Sequence, residues 1–199
     1  RPAPLPQMFR LFYEFLGEEV AALDYLGRVD APNRRRRWRR IAEQARQSIA
    51  ALFFDDRRAY LSDCLHAAPG TPAGQATADD HLRPNQLFAL TLGTLTDQRM
   101  AASILIACQE LLIPGAIRSL ADRPVHPELP IVHNGVLLND PQRPYSGVYA
   151  GEEDAHRKPA YHNGTAWTWL FPSFCEAWAA CFGPAEFDTA LAWLASSTL

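Results

Sequence analysis

The segment PAYHNGTAWTWLF, residues 159–171, gathers hydrogen-bonding side chains and broad aromatic rings within a few positions. These side chains belong to Tyr161, His162, Asn163, Thr165, Trp167 and Trp169. A sugar presents hydroxyl groups at its ring edge and weakly polar C–H faces, so its binding site combines groups such as His and Asn with flat aromatic platforms. The segment therefore suggests sugar binding.

A second interpretation of the same segment is a buried helix face. Trp167, Phe171, Phe174 and Trp178 recur at intervals of three or four residues. That spacing is typical of an aromatic stripe in a core. Both interpretations stay open on the residues alone.

The composition indicates a globular protein that does not bind nucleic acid. The chain has 199 residues, 48% of them hydrophobic, and a formal net charge of -3. These values allow a sizeable core and give no broad basic face. The arginine-rich run at residues 34–40 is interpreted as the solvated face of a helix with Trp38 turned inward.

No membrane span, metal or cofactor is predicted. No apolar stretch approaches the roughly 20 residues that cross a bilayer, so we expect a soluble, cytoplasmic protein. The cysteines form no CxxC pair and are expected to be buried thiols, and the histidines considered for a metal are scattered. These residues are Cys64, Cys108, Cys175 and Cys181, and His126, His133, His156 and His162. Phosphate loops, GxSxG elbows and HExxH motifs are absent from the sequence.

Hydrophobic periodicity predicts an all-α chain of six helices in three hairpins, forming a single domain. The predicted helices span residues 7–27, 34–53, 84–92, 97–113, 164–182 and 184–195, and Thr96 is predicted to cap the fourth of them. No alternating run is long enough to predict a sheet, although PYSGVYAG could form short extended pieces. The links at residues 55–83 and 113–163 are long, which is unusual unless a loop is functional or disordered. They should lie at one end of the helical layer, where a site is expected.

Two segments carry the candidate sugar contacts, the first at residues 81–90 and the second at residues 161–170. In each of them a long loop enters a predicted helix. These candidates are Arg83, Asn85, Gln86, Tyr161, His162, Asn163, Trp167 and Trp169. Helix starts also offer free backbone N–H groups. The structural alternatives are that Asn85 only caps its helix and that Arg83 only pairs with Asp79 or Asp80.

Carboxylates matter because hydrolysis of a glycosidic bond usually takes two of them. The loop candidates are Asp79, Asp80, Asp140, Glu152, Glu153 and Asp154. For residues 152–154 a solvated acidic loop is the alternative. Sequence spacing does not show which two would face each other, so the catalytic residues stay unassigned.

Four segments together resemble the C-terminal glucosidase domain of glycogen debranching enzymes, the amylo-alpha-1,6-glucosidase family. They are LRPNQLFAL (82–90), LLIPGAIRSL (111–120), PYSGVYAG (144–151) and AYHNGTAWTWL (160–170). AYLSDCL (59–65) fits more loosely. The resemblance implies an (α/α)6 barrel of six helical hairpins, of which this chain would supply about half. It also implies a general acid in a segment before the first helix and a base in a segment after the last.

The chain departs from that family pattern at several positions. Where the family commonly has VWPWL this chain reads AWTWL, and Lys158 stands where an aspartate is usual. Pro6 replaces a glutamate, and residues 123–138 look like an insertion. A subgroup acting on a different glucoside is therefore plausible.

The resulting hypothesis is a glycoside hydrolase domain that acts on α-1,6-linked glucose branches of glycogen or another α-glucan, with inversion. The alternative is a non-catalytic carbohydrate-binding or interaction domain. A third possibility is that the chain is an excerpt of a longer polypeptide. Since half a barrel should expose apolar helix faces, we expect the remaining barrel segments or self-association to cover them.

Overall fold

The computed structural model describes Arg28 and residues 32–196 of the chain. The predicted first helix, residues 7–27, lies outside the described residues, and so does the hairpin it would form. The first described helix, α1, spans Pro32–Leu52. Its Ala42 and Ile49 are buried, and Trp38 is half-buried beneath the guanidinium of Arg37. The arginine-rich run thus forms a largely exposed helix face.

Five further helices follow α1 in the described part of the chain. They are α2 (Leu87–Thr91), α3 (Gln98–Cys108), α4 (Lys158–Tyr161), α5 (Phe171–Phe182) and α6 (Phe187–Ser196). Short 3-10 turns at Pro84–Gln86, Gln109–Leu111 and Pro184–Glu186 adjoin these helices, and a π-helical turn, Glu153–Arg157, leads into α4. A further 3-10 turn, Ala73–Gln75, lies in a loop away from them. None of the helices in this part of the chain is long and apolar enough to cross a bilayer.

The boundaries of these helices have identifiable causes. Asp97 caps α3, because its carboxylate accepts a hydrogen bond from the backbone N–H of Met100 at 2.8 Å. The prediction that Thr96 is the cap was wrong by one residue. Gly183, with φ at 81°, ends α5, and Pro184 begins the turn into α6. The predicted hairpin of the last two helices is confirmed.

Nine short strands within the described residues make the fold mixed rather than all-α. They are β1 (Phe54–Asp55), β2 (Tyr60–Leu61), β3 (Leu65–His66), β4 (Thr77–Ala78), β5 (Leu112–Ile113), β6 (Ala116–Arg118), β7 (Val132–His133), β8 (Val136–Leu137) and β9 (Ala166–Trp167). They form antiparallel pairs β1–β2, β3–β4 and β7–β8 and one three-stranded sheet in the order β5–β6–β9. The prediction of an all-α half barrel is therefore wrong.

Two of these hairpins have clear turn chemistry that the helical interpretation overlooked. Pro114 and Gly115 join β5 to β6, and Gly115 has φ at 70°, which suits the third position of a type II turn. Asn134 and Gly135 join β7 to β8 with φ at 49° and 79°, both positive as a type I′ turn requires. Strands of two or three residues leave no alternating pattern, so only their turns mark them.

The core is built around α5. This helix packs against α2, α3 and α6. Phe174 is fully buried on it, with Trp178 and Trp193 each at 5.8 Å between ring centroids. The aromatic stripe beginning at Phe171 is thus core, whereas Trp167 and Trp169 precede the helix.

The segment proposed as an insertion, residues 123–138, belongs to a loop whose two ends are hydrogen-bonded to each other, called the excursion below. Its base is tied by the N–H of Val125, which donates to the carbonyl of Gln142 at 2.9 Å. A second bond, from Leu129 N–H to the Pro141 carbonyl at 2.8 Å, lies further out, and the β7–β8 hairpin forms the tip. The two ends of the excursion therefore lie next to each other.

Candidate functional site

The first of the two loop-to-helix segments places Arg83 at the entrance to a proline-led turn. Arg83 is extended, with φ at -130° and ψ at 154°, and Pro84 begins the 3-10 turn that continues into α2. An extended conformation is the usual one before proline. Arg83 is only 7% exposed, so its guanidinium must find partners inside the protein.

Those partners come mostly from distant segments of the chain. Nη1 of Arg83 donates to the carbonyl oxygen of Ser119 at 3.2 Å and to the carbonyl oxygen of His162. Nη2 donates to Oδ1 of Asn163 at 3.0 Å. A planar guanidinium can serve several acceptors at once, and here it joins the first segment to the second.

The second segment ends a helix rather than starting one. Tyr161 is the last residue of α4, and His162 and Asn163 follow it. Nδ2 of Asn163 donates to the carbonyl of Pro159 at 2.8 Å, closing this end of α4. The prediction that a helix begins at residue 164 was wrong, because residues 166 and 167 pair with β6 instead.

Gly164 allows the second segment to pass close to the backbone of Ser146. A Cβ atom at this position would lie 2.6 Å from the carbonyl oxygen of Ser146, and φ is 145°. The N–H of Ser146 also donates to the carbonyl of Asn163 at 2.6 Å. The Gly164 N–H donates to the Ser119 hydroxyl at 2.9 Å, so the segment is held from both sides.

The two segments share one small depression on the surface. It is lined by Arg83, Pro84, Asn85, Ser119, His162, Trp167, Trp169 and Leu170. Its enclosed volume is only about 20 Å³, and about 260 Å³ when the space open to solvent is included, so it is a shallow surface feature. Trp169 is 40% exposed and stacks on Phe88, with ring centroids 6.3 Å apart and planes inclined by 20°. The depression thus combines polar groups with an exposed indole.

Three predicted site residues lie behind the lining. Gln86 accepts from the N–H of Leu61 at 3.0 Å and donates to the Arg83 carbonyl at 2.9 Å. Tyr161 packs against Trp167, with ring centroids 4.5 Å apart, and its carbonyl accepts from the indole N–H of Trp167 at 3.0 Å. Asn163 is committed to Arg83 and Pro159. All three support the residues in front of them, and their contact with sugar stays a prediction.

The structural alternatives for the first segment do not hold. Neither the Pro84–Gln86 turn nor α2 has a side-chain cap, so Asn85 is not a helix cap. Nor does Arg83 pair with either of the two carboxylates proposed for it. Its carboxylate partner is Asp63, whose Oδ2 lies 3.2 Å from Nε of Arg83.

Asp63 is the carboxylate that the sequence reasoning missed. Besides its ion pair with Arg83, it accepts from Nδ2 of Asn85 at 3.4 Å. Nε of Arg83 forms no aligned hydrogen bond, so the contact with Asp63 is mainly electrostatic. Burial, with a smaller contribution from the Asp79 charge, raises the pKa of Asp63 to about 6, although the Arg83 charge opposes this shift. The one signal in the sequence was the loosely fitting AYLSDCL stretch.

The carboxylates proposed from the sequence have other roles in the described structure. Asp80 accepts from the N–H of His126 at 2.6 Å, and Asp140 accepts from the N–H of Gln142 at 2.9 Å. Exposed Glu153 and half-buried Asp154 form ion pairs with Lys158. None of the six proposed carboxylates lines the depression between the described segments.

Asp79 belongs to a separate cluster with Cys64, His66 and His81. Its Oδ2 lies 3.3 Å from Nε2 of His66 and 3.4 Å from Nδ1 of His81. One ligand atom from each of Cys64, His66 and Asp79 lies within 4.8 Å of the others. Burial lowers the pKa of His81 and raises that of the Cys64 thiol to about 12. In the sequence the cluster reads CLH and DDH, a CxH pattern followed by DxH.

The family comparison agrees with the resemblance drawn from the sequence. A family model described as Amylo-alpha-1,6-glucosidase matches residues 11–191. The match covers both segments of the depression, the segment around Asp63, and the core helices as far as Leu191 in α6. No curated protein and no solved structure matches the chain.

Proposed function

Because the chain belongs to the amylo-alpha-1,6-glucosidase family, the C-terminal domain family of glycogen debranching enzyme, we propose that its depression binds a glucose unit of an α-1,6 branch. The glucan would be glycogen or a similar α-glucan. The reaction would be hydrolysis of the branch linkage with inversion at the anomeric carbon.

The observation that carries the proposal is the convergence of two distant segments on one depression. The Asn85 amide and the His162 side chain can exchange hydrogen bonds with sugar hydroxyls, and the exposed Trp169 indole can pack on a C–H face. This is the combination of groups that a hexose requires.

Arg83 and Asp63 are proposed to position these groups rather than to react. The guanidinium of Arg83 donates hydrogen bonds to Ser119, His162 and Asn163. Asp63 forms an ion pair with Arg83 and accepts a hydrogen bond from Asn85. An inverting reaction needs two carboxyl groups roughly 6.5 to 9.5 Å apart with a water between them. The catalytic pair is therefore expected from other parts of the complete enzyme, and the described residues are proposed to supply the sugar-binding side.

The binding test uses calorimetry with panose, which carries one α-1,6-linked glucose, and maltotriose, which is linear. We expect panose to bind more tightly.

His162→Ala should weaken panose binding about tenfold, which corresponds to about 1.4 kcal/mol. The substitution is well suited because Arg83 bonds the backbone carbonyl of His162, so the bracing contact survives. His156→Ala is the matched control, since His156 is exposed in the turn before α4. Equal panose affinity in wild type and His162→Ala would remove the depression as the sugar site.

The second candidate function is carbohydrate binding without turnover. It is favoured by the absence of any carboxylate among the lining residues of the described depression. Glucose release from panose by the complete enzyme, which would include the proposed catalytic pair, separates the two functions, and NMR identifies the anomer formed first. Release of β-glucose supports inverting hydrolysis, whereas binding with no release supports the second function.

A further inference from the structure

The Cys64, His66, Asp79 and His81 cluster lies on one face of a small β-hairpin. In the β3–β4 pair Leu65 is opposite Ala78, and the N–H of Asp79 donates to the carbonyl of Cys64 at 3.1 Å. Residues directly opposite each other project to the same face, and so do residues two apart on a strand. The CxH pattern and the DxH pattern therefore converge once this register forms.

The distances from the Asp79 carboxylate oxygen to the two imidazole nitrogens fit a tetrahedral ion. Oδ2 of Asp79 is 3.3 Å from Nε2 of His66 and 3.4 Å from Nδ1 of His81. Zinc bonds of about 2.0 to 2.1 Å at tetrahedral angles separate two such ligand atoms by about 3.4 Å. The ligand atoms of Cys64, His66 and Asp79 all lie within 4.8 Å of one another, whereas that of His81 does not lie within 4.8 Å of all three. The Cys64 and His81 side chains would therefore have to turn toward the ion.

The hydrogen bonding of His81 provides an independent indication of a cation. Nε2 of His81 lies 2.8 Å from the carbonyl oxygen of Pro127, and since a carbonyl only accepts, Nε2 carries the proton. In the neutral ring Nδ1 is then a lone pair, and it faces a carboxylate oxygen that also only accepts. Asp79 is fully buried and His81 is 3% exposed, so water does not screen this contact. An N–H donated to a backbone carbonyl is also the usual outer contact of a metal-bound histidine.

We propose that Cys64, His66, Asp79 and His81 bind one divalent transition-metal ion of the zinc type. A thiolate and a carboxylate balance the two positive charges of the ion, and two neutral imidazoles complete the set. Such a neutral group can be buried without a net charge. The mixed sulfur and nitrogen set favours zinc over the oxygen-seeking Mg²⁺ or Ca²⁺. The His66 side chain is 40% exposed and gives the ion a route in.

The role that follows is structural. Four protein ligands leave no open position for a reacting water. Oδ1 of Asp79 accepts from the N–H of Asp63 at 2.8 Å, and the Asp79 carbonyl accepts from the Ser62 hydroxyl at 2.8 Å. The ion would thus fix the segment between β2 and β3 that carries Asp63 beside Arg83.

The test uses the intact, tag-free chain, stripped with a chelator and titrated with Co²⁺. We expect saturation at one ion per chain, strong visible bands of tetrahedral cobalt, and a near-ultraviolet thiolate-to-cobalt band. Added Zn²⁺ should displace the cobalt, so that the visible and the near-ultraviolet bands both disappear, and it should raise the thermal unfolding midpoint. A weak six-coordinate spectrum with no thiolate band would overturn the proposal, leaving an Asp79–imidazolium pair as the explanation of the cluster.

Variants assign the signals to these residues. Cys64→Ser should abolish the thiolate band, whereas Cys181→Ser, at the far end of α5, should retain it. If Cys64→Ser does not fold, His66→Ala serves instead, because His66 is largely at the surface. It should weaken cobalt binding at least about tenfold, the low end of the loss seen even for outer-shell partners. His156→Ala should bind as wild type, and unchanged affinity in His66→Ala would contradict the proposal.

Discussion

Nη2 of Arg83 donates a hydrogen bond to the side-chain oxygen of Asn163 at 3.0 Å, across 80 positions of sequence. Both residues are buried. The same guanidinium reaches the carbonyls of Ser119 and His162. One side chain therefore holds together the two walls of the proposed sugar site.

Replacing Arg83 with lysine should destabilise the protein. A lysine keeps the charge but cannot reach acceptors from three directions, and it leaves buried groups unpaired. We expect the free energy of unfolding to fall by about 3 kcal/mol, as for other broken buried pairs. Chemical denaturation measures this change.

The control for that variant is Arg99→Lys. Arg99 pairs with Asp56 at 3.4 Å, and both side chains are more than 70% exposed. The unfolding free energy should stay within about 0.5 kcal/mol of wild type. Equal effects of the two lysine variants would show that the contacts of Arg83 are not the bracing we describe.

Gly164→Ala should distort the second wall of the depression. The added methyl group would meet the backbone of Ser146 at 2.6 Å, and a φ of 145° strains any residue with a side chain. We expect a loss of about 1 to 3 kcal/mol in unfolding free energy, together with weaker panose binding. Gly74→Ala is the matched control, because nothing lies within 4 Å of its added Cβ. Wild-type stability in Gly164→Ala would mean that Ser146 can move away without cost.

Trp167→Phe isolates the contribution of one indole N–H. The variant keeps an aromatic ring beside Tyr161 and loses the 3.0 Å hydrogen bond to the Tyr161 carbonyl. Thermal or chemical unfolding should show a loss of about 1 kcal/mol. No change in stability would indicate that water replaces the lost donor.

Trp169→Ala should act on sugar binding more than on folding. Trp169 is 40% exposed, so it adds less to the core than Trp167 does. We expect panose affinity to fall about tenfold, or about 1.4 kcal/mol. Phe187→Ala, which removes a 52% exposed ring on α6, should leave calorimetric affinity unchanged. The proposed platform is rejected if Trp169→Ala binds panose as wild type does.

Helices were predictable here where a long amphipathic or capped pattern existed. The α1 pattern and the Gly183–Pro184 break between α5 and α6 correspond to real boundaries. Strands of two residues were not predictable from alternation. Their turns were visible in Pro114–Gly115 and Asn134–Gly135, and giving those pairs more weight would have excluded an all-α fold.

The site was only partly predictable because its contacts span most of the chain. Local chemistry pointed to the segments around Arg83 and His162, which the structure brings together. Nothing local distinguished Asp63 from other loop carboxylates, since its importance comes from Arg83. Likewise CxH and DxH are separated by the β3–β4 loop, and only strand register unites them.

The excursion tied at Val125 and Gln142 has an implication for how such a chain can diversify. Because its two ends are hydrogen-bonded to each other, residues can be inserted or deleted between them without displacing Ser119 or Ser146. Shortening the β7–β8 hairpin, or inserting a reporter peptide at Asn134–Gly135, should thus leave the structure of the depression unchanged. Length variation among related chains would be expected to accumulate there first.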